Sequence, residues 1–497
     1  MRRLDTLLVA LLSSTAVFLL LASCSSTGHD EPSRRPNVLL LLADDMQWDA
    51  IGALGEDRIR TPNLDRLVTE GTTFTHAYNQ GSVHGAVCMP SRAMIITGRH
   101  LWRRGGDQVE GRRLWGEVFG EQGYATFVTG KWHNGKDALE RGFQTIGATG
   151  GGMLHSTKQE EDGYNRGGAG NTWKPDDQSR GGHWQTVDGE IVHSSEHWAD
   201  EAVGWIGQRA TATDDDRPFF AHVAFHAPHD PRQAPTRHLD LYPPERSVLP
   251  QNVLPGHPFD NGALRLRDEL LAPFPRDDAA IRLHMAEYAA IISHLDEQVG
   301  RILDALDDSG MADNTLVVFT ADHGLAVGQH GLLGKQSLYD HSQRVAVVWR
   351  GPGIAVDVRR DDLVYLHSLF PTAAELTGVS TPDDLDAPSM AHMLHGDDGT
   401  NGGHETLFAA YSDTQRMVRD RTYKLIVYPQ AMQVQLFNLQ ADPWETHNIA
   451  DDPDQRATMT RLHGDLLRWM DATKDPLERA LLDAPWEWTV TPVLAQH

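Results

Sequence analysis

Four stretches of the chain are short, almost wholly apolar and closed by polar or breaker residues: NVLLLLADD (37–45), YATFVTGKWH (124–133), PFFAHVAFHAPHD (218–230) and TLVVFTADHG (315–324). Apolar runs this short, without alternation, predict strands covered on both faces. Between them the apolar positions return at helical spacing. TPNLDRLVTEG (61–71) offers Thr61 as a cap, Pro62 at the first helical position and Gly71 at the end. IRLHMAEYAAIISHLDEQVGRILDALDDSG (281–310) reads as one long amphipathic helix feeding the last of the four strands. Strands that alternate with helices predict an α/β fold, a mostly parallel sheet sandwiched by helices.

An open parallel sheet binds ligands beyond the carboxyl ends of its strands. The four ends put Asp44, Asp45, Lys131, His133, His226, His229, Asp322 and His323 at that one edge. Taken singly, each has a plain explanation: an Asp-Asp pair caps a following helix, and a terminal Lys or His is solvated. Together they suit a hard divalent cation held by carboxylates, with cations alongside for an oxyanion. Lys335, in the Gly-bounded loop GLLGKQSLYD, adds a further cation. The segment VCMPSRAMIITG (87–98) belongs with them. Pro90 reads as the first helical residue and Gly98 as the residue past the end, so Cys88 precedes a helix N-terminus. Arg92 then lies in the first turn, against the helix dipole unless an anion or carboxylate is held there; otherwise it points to solvent.

Charge and composition narrow the class. The formal net charge of -25 argues against a nucleic-acid partner, which needs a basic face. An anionic substrate must therefore be drawn in by a local positive site. There are two cysteines in 497 residues. One, Cys24, closes an N-terminal segment with a basic start, an apolar run and small residues before it. A transmembrane anchor is disfavoured because Asp5 and the Ser13-Ser14-Thr15 break leave too short an apolar core. That leaves Cys88 without an internal disulfide partner and under suspicion of function, although a free cysteine is also commonly a small buried hydrophobe.

CMPSR (88–92) resembles the C-x-P-S-R signature of the type I sulfatases, the formylglycine-dependent family of the alkaline-phosphatase-like superfamily. PNVLLLLADD, TPNLDRL, TGRH, GKWH, PHDP, TADHG and GKQSLYD resemble that family's blocks and come in its order. The likeness runs from about residue 35 to 475. It implies a core at 36–400 and a small C-terminal α+β subdomain at 401–497 with a short antiparallel sheet. It also implies that Cys88 is oxidised to Cα-formylglycine by a formylglycine-generating enzyme acting on the nascent chain. By the same likeness Asp44, Asp45, Asp322 and His323, together with the residue-88 side chain, hold one divalent metal, Ca2+ or else Mg2+. Arg92, Lys131, His133, His229 and Lys335 match the sulfate-binding and proton-transfer positions. His323 departs from the family, where Asn is common, so its role as a direct ligand is open; His226 matches only a supporting position. LASC (21–24) resembles a bacterial lipobox, which implies cleavage before Cys24, a tether at 25–35 and a lipid-anchored protein outside the cytoplasm; a plain secretory signal is the second reading.

The expected activity is hydrolysis of a sulfate ester. The alternatives are a phosphonate or phosphate ester hydrolase with the same aldehyde chemistry, and a carbohydrate-binding lipoprotein that has lost turnover. The Gly-rich stretch 147–198 carries Trp173, Trp184 and Trp198 with His155, His183 and His193. It reads either as a platform for sugar faces, which favours a sulfated saccharide, or as an excursion packed on its own aromatics.

Overall fold

The computed structural model describes residues 34–55, 58–103, 107–154, 165–168, 170–396 and 402–493. The leader, most of the tether, His155 and the expected subdomain boundary at 400/401 lie outside them. The described residues from 35 onward form one compact unit.

Every residue of Asn37–Ala43, Phe219–Ala224 and Thr315–Ala321 is buried, which is why these runs are continuously apolar. They lie side by side at the centre of a nine-stranded sheet. Its order is Val358–Arg360, Thr72–Tyr78, Arg344–Arg350, Thr315–Ala321, Asn37–Ala43, Phe219–Ala224, Ala125–Lys131, Thr145–Gly150, and Val364–Tyr365 also pairs with Thr72–Tyr78. The pairings are parallel except for Arg344–Arg350, which runs antiparallel to both neighbours. Two groups of helices pack on it. Pro62–Thr69, Ser194–Thr211 and Asp278–Asp308 form one; Cys88–Thr97, Trp115–Glu121 and Leu369–Thr377 form the other. Trp115 ties the second group to the sheet, stacking on Phe220 and Phe370 at 4.8 and 5.8 Å.

Register does the work that matters for function. Ala43 pairs with Ala321, so Asp44 and Asp322 emerge together. Leu42 pairs with Ala224 and Gly130 with Ala224, so the 226–229 loop and Lys131 emerge beside them. A second sheet follows, of Gln433–Asn438, Tyr423–Tyr428, Gln415–Arg419 and Leu407–Tyr411, mutually antiparallel. It is closed by Gly81–Ser82, which runs parallel to Leu407–Tyr411. Helix Arg456–Thr473 packs on it. The close approach at Gly81 excludes a side chain, since a Cβ there would lie 1.9 Å from the Ala410 carbonyl oxygen. That contact anchors the chain a few residues ahead of Cys88.

Two local expectations are refined. Helix Pro62–Thr69 ends on Glu70, and Thr61 does not cap it; its hydroxyl donates to Asp65 Oδ1 at 3.0 Å and accepts from the Gly52 N–H at 2.7 Å. The cysteine helix begins at Cys88 itself, two residues earlier than Pro90 suggests, and ends in a left-handed Gly98 as expected.

Candidate active site

Asp44 and Asp45 follow the strand directly, Asp45 in the left-handed region at φ 68. That turn brings both carboxylates to one edge, where they are buried. The Asp45 and His323 N–H groups donate to Asp322 Oδ1 at 3.3 and 3.0 Å. With the helix starting at Cys88, Arg92 is its fifth residue and past the first turn; its Nε donates to Asp322 Oδ2 at 2.8 Å, so it is held by a carboxylate and does not point to solvent. Lys131 pairs with Asp44. Lys335 Nζ donates to both Asp45 oxygens, at 2.7 and 3.0 Å.

Cys88 lies in the middle of these charges. Its Sγ is 3.2 Å from Lys335 Nζ and 3.3 Å from His323 Nε2, and the His133 side chain lies close enough to favour its thiolate. Burial pushes the thiol up, but Lys131, Lys335 and His323 outweigh burial and hold it well below its ordinary range. His229 reaches in from the next loop, with Nε2 3.8 Å from Asp45 Oδ2. Its Nδ1 donates to the Asp230 carbonyl at 2.8 Å, which fixes the ring and leaves Nε2 facing the cluster. All ten residues expected at the site therefore converge. His226 stands behind them, bound through Nε2 to the Gly151 carbonyl at 2.7 Å.

The donor set fits a divalent cation. Asp44, Asp45, Cys88 and His323 each offer a ligand atom within 4.8 Å of the others. Asp44 Oδ1 is buried without a hydrogen-bond partner, an atom whose lone pairs need a cation or a donor. Burial together with the Asp44 charge pushes Asp322 up to about 7. Burial also raises Asp45, against the pull of Lys335. Crowded carboxylates of this kind are what a hard cation relieves. Asp322 stands beside the four-atom set, its oxygens engaged by Arg92 and two backbone N–H groups. Burial disfavours charge on His323, but Asp322, Cys88 and Asp45 push it up to about 9.

Two supporting residues, Arg267 and Tyr288, carried no sequence signal of their own. Asp230 flanks the His229 ring and is clamped by Arg267, and the Tyr288 hydroxyl donates to the Asp45 carbonyl at 2.7 Å. Arg267 opens a short 3-10 helix and Tyr288 lies mid-helix, so only the tertiary fold brings them here. Of the two readings of the stretch 147–198 the sugar platform is removed, since Trp173, Trp184 and Trp198 are buried at 2%, 6% and 2% exposure; Trp184 packs edge-on against His193 within the stretch, whereas Trp198 joins the main core and Trp173 packs with Leu271 and Ile281. Among the described residues no helix is long and apolar enough to cross a membrane.

Comparison with known proteins agrees with this geometry. The sulfatase family profile matches residues 36–379, and a profile for the C-terminal part of N-sulphoglucosamine sulphohydrolase matches residues 328–472. This chain belongs to the sulfatase family. An arylsulfatase of Clostridium perfringens is 26% identical over 485 residues, covering 89% of this chain and 95% of that one. Among solved structures, one in complex with its substrate D-glucosamine-2-N,6-O-disulfate superposes with TM-score 0.70 at 21% identity, over 91% of this chain and 100% of that chain. The phosphonate monoester hydrolase of Agrobacterium radiobacter also shares the fold, with TM-score 0.67 at 22% identity, covering 88% and 96%. The chain is thus a sulfatase of the alkaline-phosphatase-like superfamily, a family of sulfuric ester hydrolases.

Proposed function

We propose that this protein hydrolyses the sulfate ester of a carbohydrate, using Cα-formylglycine formed from Cys88 and one bound divalent cation, Ca2+ with Mg2+ as the second candidate. The observation that carries the reading is the placement of Cys88 Sγ, 3.2 Å from Lys335 Nζ and 3.3 Å from His323 Nε2, beside paired carboxylates. A nucleophile here is surrounded by the cations that an attacked sulfuryl group needs. The aldehyde, once hydrated, supplies one hydroxyl to attack sulfur and a second to expel sulfate. Held by Asp44, Asp45, His323 and the residue-88 side chain, with Asp322 alongside, the cation supplies a Lewis acid for the sulfuryl oxygens.

The chain's own groups then divide the remaining work. Lys131 and Lys335 hold the sulfuryl oxygens and balance the carboxylates. Lys335 is tied to Asp45 by two hydrogen bonds, which suits it to binding. His229 has its Nδ1 satisfied by Asp230 and its Nε2 turned inward, so it is the proton donor to the leaving oxygen. His133 borders the sulfur and takes the proton when sulfate leaves. Arg92 holds Asp322 in place. Sulfated-saccharide specificity draws its support from the glucosamine disulfate seen with a protein of the same fold.

Placement follows from the leader: cleavage before Cys24 and lipidation there hold the enzyme at a bacterial membrane outside the cytoplasm. Parallel assays on matched sulfate, phosphate and phosphonate esters, with the native-host protein, test the activity. Preference for the sulfate ester by kcat/KM supports the reading; preference for the phosphonate or phosphate ester makes it a hydrolase of those esters, and no turnover of any leaves a binding protein.

A further inference from the structure

The loop that carries His229 is gripped from outside by two histidines of the 147–198 excursion. His183 and His193 are both buried and stack nearly parallel, ring centroids 4.9 Å apart and 8° between planes. His183 Nε2 lies 3.1 Å from the carbonyl of His229, and His193 Nε2 lies 3.0 Å from the carbonyl of Gln233. A carbonyl only accepts, so each ring carries its proton on Nε2. The Nδ1 atoms then accept: His183 from the Ser194 hydroxyl at 2.7 Å, His193 from the Ser195 N–H at 3.1 Å. The His183 N–H also donates to the Gln233 side chain at 2.7 Å. Burial drives both imidazoles below their ordinary range, His183 to about 4, so they stay neutral and keep this tautomer. No backbone N–H among the described residues donates to the carbonyls of 229 or 233, which leaves the rings as their donors.

We propose that His183 and His193 are positioning residues for the reaction: a stacked neutral pair that pins the 229–233 backbone at both ends and so holds His229 Nε2 over Asp45. The proposal rests on the assignment of His229 as proton donor. Misplacing a catalytic group by about 1 Å costs on the order of 10²-fold, and releasing a buried carbonyl from its donor invites such a shift. The Gly-rich excursion thereby acquires a task unrelated to sugar contact.

The test uses side-chain reach. Glutamine at 183 places an amide N–H near the position of imidazole Nε2; asparagine falls short. In full-length enzyme we expect His183→Asn to lower kcat on phenyl sulfate, whose leaving group needs the proton, by about 30- to 100-fold. On 4-nitrophenyl sulfate, whose leaving group does not, the loss stays within about 3-fold, KM moves by less than about 2-fold, and His183→Gln stays within about 3-fold on both esters. In a His229→Ala background His183→Asn has no additional effect, because it acts only through that side chain. If His183→Asn does not fold, His193→Asn releases the other carbonyl and carries the same expectations. Equal losses on both esters, or an added loss in the His229→Ala background, overturn the clamp. A His229→Ala variant that loses both esters equally strikes instead at the proton-donor reading, and the clamp, which rests on it, falls with it.

Discussion

Two clusters of buried charge, one around Lys335 and one around Lys424, are built alike yet finished differently. At the active site Lys335 binds Asp45 and the Cys88 sulfur, and Lys131 binds Asp44. At the base of the second sheet Lys424 binds Asp340 at 2.5 Å and Glu445 at 2.7 Å. There every carboxylate oxygen is answered. Asp340 Oδ2 accepts from the Tyr78 hydroxyl at 2.9 Å, and Glu445 Oε2 accepts from the Asp340 N–H at 2.7 Å. At the active site Asp44 Oδ1, Arg92 Nη2 and His133 Nδ1 are buried without hydrogen-bond partners. A closed cluster holds two parts of a chain together; an open one has capacity left for a ligand. Burial of charge alone does not mark a functional site, whereas unspent valence beside a nucleophile does.

The largest effect expected is at Cys88. Changed to serine in a host that leaves serine unconverted, it offers one hydroxyl where the hydrated aldehyde offers two. Steady turnover should fall by a factor on the order of 10⁴ or more. Intact mass after incubation with substrate should show one sulfate per chain, with at most one equivalent of alcohol released. Multiple turnovers with serine verified at position 88 would remove the two-hydroxyl mechanism. Next in size is Asp45→Asn, which we expect to cut kcat/KM by roughly 10²- to 10³-fold. Its melting temperature should stay level or rise, since one crowded charge is gone. Strong chelators should inhibit the wild type, with Ca2+ or Mg2+ restoring it; full activity in verified metal-free enzyme contradicts the donor-set assignment.

The active-site edge was largely legible because each strand ends in an abrupt change from apolar to polar residues, and parallel register turns four such ends into one place. Arg92 was legible as a residue either held by a carboxylate or turned to solvent, and Asp322 holds it. The Lys424 cluster was not legible, because Asp340, Lys424 and Glu445 are far apart in the chain and none follows a marked breaker. Nor was the His183–His193 clamp, whose content is a pair of hydrogen bonds to backbone carbonyls. Trp173, Trp184 and Trp198 show the converse: aromatic content says nothing about which face is wet, and here the rings are interior.

The closed cluster should respond in stability where the open one responds in rate. Lys424→Met leaves Asp340 and Glu445 buried with part of their compensation gone, at a cost of about 3–5 kcal/mol in denaturant unfolding. Activity per folded molecule should stay within about twofold. A large kcat loss without loss of stability would join this cluster to the chemistry. The smallest effect concerns Asp296, buried against the N-terminus of helix Pro62–Thr69, where it accepts from the Leu64 and Asn63 N–H groups at 2.8 and 3.2 Å. Burial outweighs these bonds and pushes it up to about 6 from the ordinary 3.8. The folded state thus keeps a proton that the unfolded chain has lost, and this group's contribution to stability falls as pH rises from about 4 to 6. The fall is about 2–3 kcal/mol. Asp296→Asn should flatten that part of the stability–pH curve; an unchanged slope shows that Asp296 is already ionised at low pH.

The central claim is that Cys88 is the precursor of the nucleophile, and mass spectrometry of the peptide bearing residue 88 tests it most directly. In native-host enzyme that is turning over a sulfate ester, the account predicts the mass of an aldehyde, or its hydrate, in place of the thiol. An unmodified cysteine at position 88 in an equally active preparation would contradict it.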